Sequence, residues 1–214
     1  MHIGRRWLIS LALMTSSSSV ARARRPEAEL GPRTPLTVRI ASAADSRGVF
    51  VDVRMLVDAP LADVERVVGD IDSYPDWVPN MIRAHVTARD AEPGSLVFET
   101  TVHLPWPLHD VNERLRMRRV ATPTSVELSW WQVRGDLRRN EGRWLLLPIA
   151  PGQTEVRYQA TFQLRSWIPL FMVRSAEARQ APKLAANLRA RVKALRLAGH
   201  AASHPSSAVV AANP

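Results

Sequence analysis

The sequence contains no cysteine. That single absence removes disulfides, thiol nucleophiles, Cys-ligated metals and a lipidated Cys anchor together, so packing alone must hold the fold. A G-x-S-x-G nucleophile turn and a Gly-rich phosphate loop are also missing, and with them the signatures of serine hydrolases and nucleotide-binding loops. Lysine is scarce, since 27 of the 29 basic residues are Arg. These arginines are scattered and interleaved with Glu and Asp rather than gathered in a block. The formal charge of +9 therefore reads as an Arg-rich surface with no nucleic-acid partner, compatible with a weak attraction to anionic membranes. No apolar run approaches the ~20 residues needed to span a bilayer.

The longest apolar run, Trp7 to Met14, follows Arg5-Arg6 and precedes a Ser-rich stretch and Ala21-Arg22-Ala23. Basic start, apolar run and A-x-A site are the order of a secretory signal, so residues 1–23 are expected to direct export to the periplasm or the exterior. The Arg pair also suits a twin-arginine route. Arg24 to Pro35, with three prolines, reads as a linker, and residues 198–214, rich in small and polar side chains, read as a disordered tail. Residues 36–197 remain as one domain, long enough to bury a sizeable core. A monomer is favoured.

Within that domain, Leu36, Val38 and Ile40 alternate with polar residues, and Val49 to Val57 follow with period two after a D-S-R-G turn, which predicts an antiparallel pair. "DAPLADVERVVGDI" predicts a short helix, with Asp58 as N-cap, Pro60 at an early helical position and Gly69 as the stop. "DSYPDWVPNM" comes next and permits at most a broken helical turn between its prolines. Two large aromatics in so short a turn are more than a connection needs; they suit the lid of a hydrophobic cavity. Further strands are expected around Leu96–Val102, Val111–Arg118, Val126–Trp130, "EGRWLLLPI" and "TEVRYQATFQL". Trp131 interrupts the third of these, marking either a bulge or a strand covered on both faces. A long amphipathic helix from about Ile168 to Leu197 closes the domain, with Ala181, Leu184, Leu188, Val192 and Leu195 on one stripe and Pro182 expected to kink it. Strands, short helices, a run of strands and a long helix make an α+β fold, with helices on one face of a curved antiparallel sheet.

That order, with "VDAPLADVERVVGDIDSYPDWVPNM", "LPWPLHD", "EGRWLLLPIAPGQTEVRYQATFQL" and "WIPLFMVRSAEARQAPKLAANLRARV", resembles the START-like, polyketide cyclase and lipid-transport superfamily. The resemblance implies a helix-grip fold, a bent sheet wrapped around the C-terminal helix and enclosing an apolar tunnel. The leading hairpin looks more like the StAR-related lipid-transfer branch than the minimal pollen-allergen form. By the same resemblance, Tyr74 and Trp77 fall where the tunnel closes, Trp106 and Pro107 in a "P-x-P" turn, Trp144 in a "G-x-W" strand start, and Trp167, Ile168 and Pro169 at the entry to the final helix. Many members read "D-R-D" after the Pro turn; this chain reads Asp110-Val111-Asn112, so any role of that Arg and second Asp does not carry over.

The expected ligand-binding set is Tyr74, Trp77, Phe98, Trp106, Glu113 and Trp130, together with Trp144, Tyr158, Phe162, Leu184 and Leu188. Glu113 shares the face of Val111, Leu115 and Met117. It either points a carboxylate into the tunnel, where it must be paired or hold a ligand's polar head, or meets solvent or an Arg. His85, His103 and His109 read as exposed loop residues, and the H-x-x-x-H spacing of His200 and His204 lacks an acidic partner. No cofactor or metal is expected. Two readings follow: a module that binds and carries a lipid or other hydrophobic small molecule, or a cyclase or aromatase using Glu113, His103 or His109. Net positive charge on the final helix adds a third, docking on a membrane or partner.

Overall fold

The structure, a computed structural model, describes residues 36–42, 48–90, 92–104, 108–163 and 170–203. Its frame is an eight-stranded sheet in the order β1-β2-β8-β7-β6-β5-β4-β3, every neighbouring pair antiparallel. The strands are β1 (Leu36–Ser42), β2 (Gly48–Val57), β3 (Met81–Arg89), β4 (Ser95–Val102), β5 (Val111–Thr122), β6 (Ser125–Gly135), β7 (Arg139–Ala150) and β8 (Gln153–Gln163). Between β2 and β3 lie α1 (Leu61–Gly69), a 3-10 turn (Ile71–Ser73) and the short α2 (Tyr74–Trp77); α3 (Leu170–Ser203) follows the sheet. This is the expected α+β helix-grip architecture.

Period-two alternation builds the sheet's inner face. Val49, Val51, Val53 and Met55 of β2 and Val156 and Ala160 of β8 are each at most 1% exposed, because their side chains point together toward α3. On the outer face the arginines take up the acids beside them: Arg143 meets Glu127 at 3.2 Å and Arg157 meets Glu155 at 2.7 Å. Each such surface pair adds at most ~1 kcal/mol. The Arg-rich composition is thus largely the polar face of the strands.

The apolar stripe of α3 packs as its spacing predicts. Ala181, Leu184, Ala185, Leu188 and Val192 are buried, and Leu195 is half-buried. Polar side chains fix the C-terminal half of α3 to the chain beneath: Asn187 Nδ2 donates to the Trp77 carbonyl at 2.8 Å, Arg189 Nε to Leu56 at 2.9 Å, and Arg196 Nη1 to Asp58 at 2.8 Å. Arg191 and Arg196 also pair with Asp76 and Asp63. Much of the helix's basic charge is therefore spent inside the fold, which weakens its reading as a docking face.

Several expectations are corrected. The first short helix starts at Leu61 with Pro60 at its N-cap and no capping side chain; Asp58 instead accepts from Gln153 Nε2 at 2.9 Å. Strand β3 escaped notice because it is an edge strand with only Ala84 buried and two irregularities in register, so its alternation is too weak to read. Trp131 is neither a bulge nor covered on both faces; it sits opposite Arg116 on the outer face, 39% exposed. The bulge comes at Val133, since Leu115 opposes Gln132 while Arg114 opposes Arg134. Helix α3, with Pro182 inside it, runs to Ser203, beyond the expected boundary at Leu197, so His200 belongs to a helix rather than a coil. Trp106, Pro107, Trp167, Ile168, Pro169, His204 and the N-terminal residues 1–35 lie outside the described residues.

Candidate functional site

Between the inner face of the sheet and the N-terminal half of α3 lies a cavity of about 410 Å³. A row of aromatic rings runs along one wall, with Tyr74, Trp144, Tyr158 and Trp130 lining the cavity and Trp77 packed behind them. Tyr74 meets Trp77 edge-on at 5.2 Å, Trp77 meets Trp144 at 6.2 Å, Trp144 meets Tyr158 at 4.6 Å, and Tyr158 stacks on Trp130 at 5.7 Å. Such tilted and offset contacts each add ~0.5–1.5 kcal/mol beyond area burial, which makes the wall stiff. Phe98, Val102, Leu115, Met117, Phe162, Val173 and Leu184 supply apolar lining from the other strands and the helix.

Two glycines of the β6–β7 hairpin set the shape of that wall. A Cβ on Gly142 would lie 2.4 Å from both the Trp130 ring and the Gln159 carbonyl oxygen, so Trp130 can lie flat only because Gly142 has no side chain. The same indole donates to Asn140 Oδ1 at 3.1 Å. A Cβ on Gly135 would lie 2.4 Å from the Glu113 carboxyl group. The bulge at Val133 accounts for the pairing: the extra residue shifts the phase so that Gly135, and not Arg134, faces Glu113 across the inner face.

Glu113 is 4% exposed and its Oε1 accepts the Leu137 amide at 2.9 Å. Its carboxylate therefore points inward, and Arg114 lies on the opposite, exposed face. A second acid faces the cavity from α3. Glu177 lines the cavity and is partly exposed. Burial pushes its carboxyl up to about 7. Burial also pushes the Tyr158 hydroxyl far up, with the charge of Glu177 adding to the effect. Tyr74 is raised by burial as well, while a side-chain hydrogen bond with Trp144 acts the other way; its hydroxyl donates to the Val68 carbonyl at 2.6 Å.

Of the expected set, Tyr74, Phe98, Glu113, Trp130, Trp144, Tyr158, Phe162 and Leu184 line the cavity. Trp77 and Leu188 do not: both are buried behind the wall, Trp77 at 4% and Leu188 at 0% exposure. Trp106 lies outside the described residues. The turn after α2 does border the cavity, through Val78, Pro79 and Asn80, and Asn80 adopts the left-handed φ of 61° that Asn tolerates better than most residues. His103 and His85 are exposed and bonded to Asp110 and Asp72, each at 2.9 Å, and His109 is exposed. No described histidine lines the cavity. Glu177, Thr100 and Asn140 were missed. The signal for Glu177 was available, since Val173, Glu177, Ala181 and Leu184 fall on one face of the helix.

The sequence profile described as "Polyketide cyclase / dehydrase and lipid transport" matches residues 57–189. The chain belongs to that family. Several solved structures share the fold of this family member at low identity. A STAR-related lipid transfer protein from Xanthomonas axonopodis is 15% identical with a TM-score of 0.65, over 77% of this chain and 97% of that one. Human STARD10 is 18% identical with a TM-score of 0.66, over 82% of this chain and 75% of that one. The Zhui aromatase/cyclase from Streptomyces is 18% identical with a TM-score of 0.59, over 71% of this chain and 98% of that one. No curated protein matches the sequence.

Proposed function

We propose that this protein binds a hydrophobic small molecule or lipid in its cavity and sequesters or transports it. The observation that carries the reading is the cavity itself, about 410 Å³ walled by a continuous aromatic row with few polar groups, within the size range of sites that bury most of a small ligand. Burying ~400 Å² of apolar ligand surface is worth ~10 kcal/mol gross at ~25 cal/mol per Å². Lost freedom on binding reduces this to an affinity around micromolar. The family description and the lipid-transfer structures above support carriage, whereas the aromatase/cyclase structure keeps catalysis in view. Carriage is favoured because the cavity holds no imidazole among the described residues, and Glu113 is already engaged by a backbone amide.

Export belongs to the proposal, on the strength of residues 1–23 alone, and N-terminal sequencing of the protein after cell fractionation tests it. The binding reading is tested by native mass spectrometry of the purified protein, followed by solvent extraction. A stoichiometric hydrophobic molecule supports it. A protein that is empty, and that takes up neither apolar dyes nor lipids, overturns it and moves the cyclase reading forward.

A further inference from the structure

We propose that the ligand is an amphiphile whose polar end donates hydrogen bonds and carries no negative charge, and that Glu177 acts with Glu113 to select it. This rests on the ligand-binding reading above and adds the ligand's class.

The lining supplies the first constraint. The cavity wall is mainly apolar side chains and aromatic rings, so the body of its ligand is apolar.

Charge supplies the second. Among the described residues, the ionisable groups that face the cavity are Tyr74 from α2, Glu113 from β5, Tyr158 from β8, and Glu177 and Arg179 from α3. Arg179 is exposed and donates to Ser175 Oγ at 2.8 Å. Tyr74 is bonded to the Val68 carbonyl. Among the described residues the cavity thus presents two carboxylates, of which Glu113 is already bonded, and one guanidinium, which is engaged with Ser175. The two carboxylates belong to the same end of the cavity: Leu137, whose amide Glu113 accepts, clusters with Val111, Phe162 and Val173, and Val173 lies one helical turn before Glu177.

Among the described residues Glu177 has no hydrogen-bond or ion-pair partner. Its carboxyl group lines the cavity and is partly exposed there, so a donor on a ligand can reach it, and pairing would offset the cost of holding the charge beside an apolar wall. The elevated pKa of Glu177 is what such a group shows before its partner arrives. An amine or hydroxyl on the ligand would supply the donor, whereas a carboxylate or phosphate would meet like charge.

The test uses the full chain with an uncharged phenylnaphthylamine dye in the cavity, displaced by dodecylamine, dodecanol or dodecanoate below their micelle concentrations at pH 8. Amine and alcohol should displace the dye at concentrations at least about tenfold lower than the carboxylate. Glu177→Gln should keep dye binding and a cooperative thermal transition while losing most of the preference for amine over carboxylate. Equal displacement by all three heads, a preference for the carboxylate, or a preference unchanged by both Glu177→Gln and Glu113→Gln would overturn the selection. Failure of the wild-type protein to bind dye or any chain would instead sink the ligand-binding reading itself.

Discussion

Replacing Glu177 by Gln should stabilise the ligand-free protein at alkaline pH and leave it nearly unchanged in acid. Burial raises this carboxyl from its usual 4.5 to about 7. The folded state therefore binds its proton more tightly than the unfolded chain, and the sign follows directly. The group costs the fold nothing below the unfolded pKa, and its cost grows as pH rises toward the folded pKa, reaching its full value above it. At 1.36 kcal/mol per pKa unit, the rise from 4.5 to about 7 makes that cost roughly 3 kcal/mol above pH 8. Gln keeps the shape of the protonated side chain and carries no charge, so it avoids the cost. Urea unfolding of wild type and Glu177→Gln at pH 5 and pH 8 gives the comparison, because other titrating groups are common to both proteins and cancel. A gain of roughly 3 kcal/mol at pH 8 that shrinks to under about 1 kcal/mol at pH 5 is expected. An equal effect at both pH values, or a loss of stability at pH 8, would refute the argument that burial in the cavity wall raises this group.

Gly135→Ala puts a methyl where the Glu113 carboxyl lies and should destabilise by ~1–3 kcal/mol in urea unfolding. Combining it with Glu113→Ala should recover part of that loss, a non-additivity that independent sites would lack. Gly142→Ala meets backbone as well as the Trp130 ring, so it should cost more than Gly135→Ala and lower the thermal midpoint further. Trp77→Ala should cost ~3–5 kcal/mol because the residue is buried behind the wall, with ligand affinity falling only through the disturbed ring row. Leu184→Ala, which enlarges the cavity directly, should shift the preferred chain length in the dye-displacement series.

Most of the sheet was legible because its strands bury one face: the alternation of Val49 to Val57 and Val156 to Phe162 states which side chains meet α3. Strand β3 was not, since an edge strand that buries only Ala84 carries little periodic signal. The aromatic lining was recognisable as a set but not residue by residue. Trp77 and Trp144 are equally large and apolar, and only the turn of α2 decides that Trp144 reaches the cavity while Trp77 stands behind it. Glu113 was found because a carboxylate interrupts an apolar alternation. Glu177 was not singled out, although its place on the apolar stripe was already fixed by helical spacing. The phase shift at Val133 that brings Gly135 over Glu113 depends on strand pairing, which no local pattern encodes.

The ring row has an optical consequence. Trp130 and Trp144 face the cavity, Trp77 touches Trp144, and Trp131, one residue from Trp130, lies on the outer face at 39% exposure. Adjacent indoles in β6 thus report on opposite sides of the sheet. A soluble quencher such as acrylamide should silence the red-emitting Trp131 and leave the blue emission of the enclosed rings. Occupancy of the cavity should change that blue component alone, so the protein carries its own label-free reading of whether it is full.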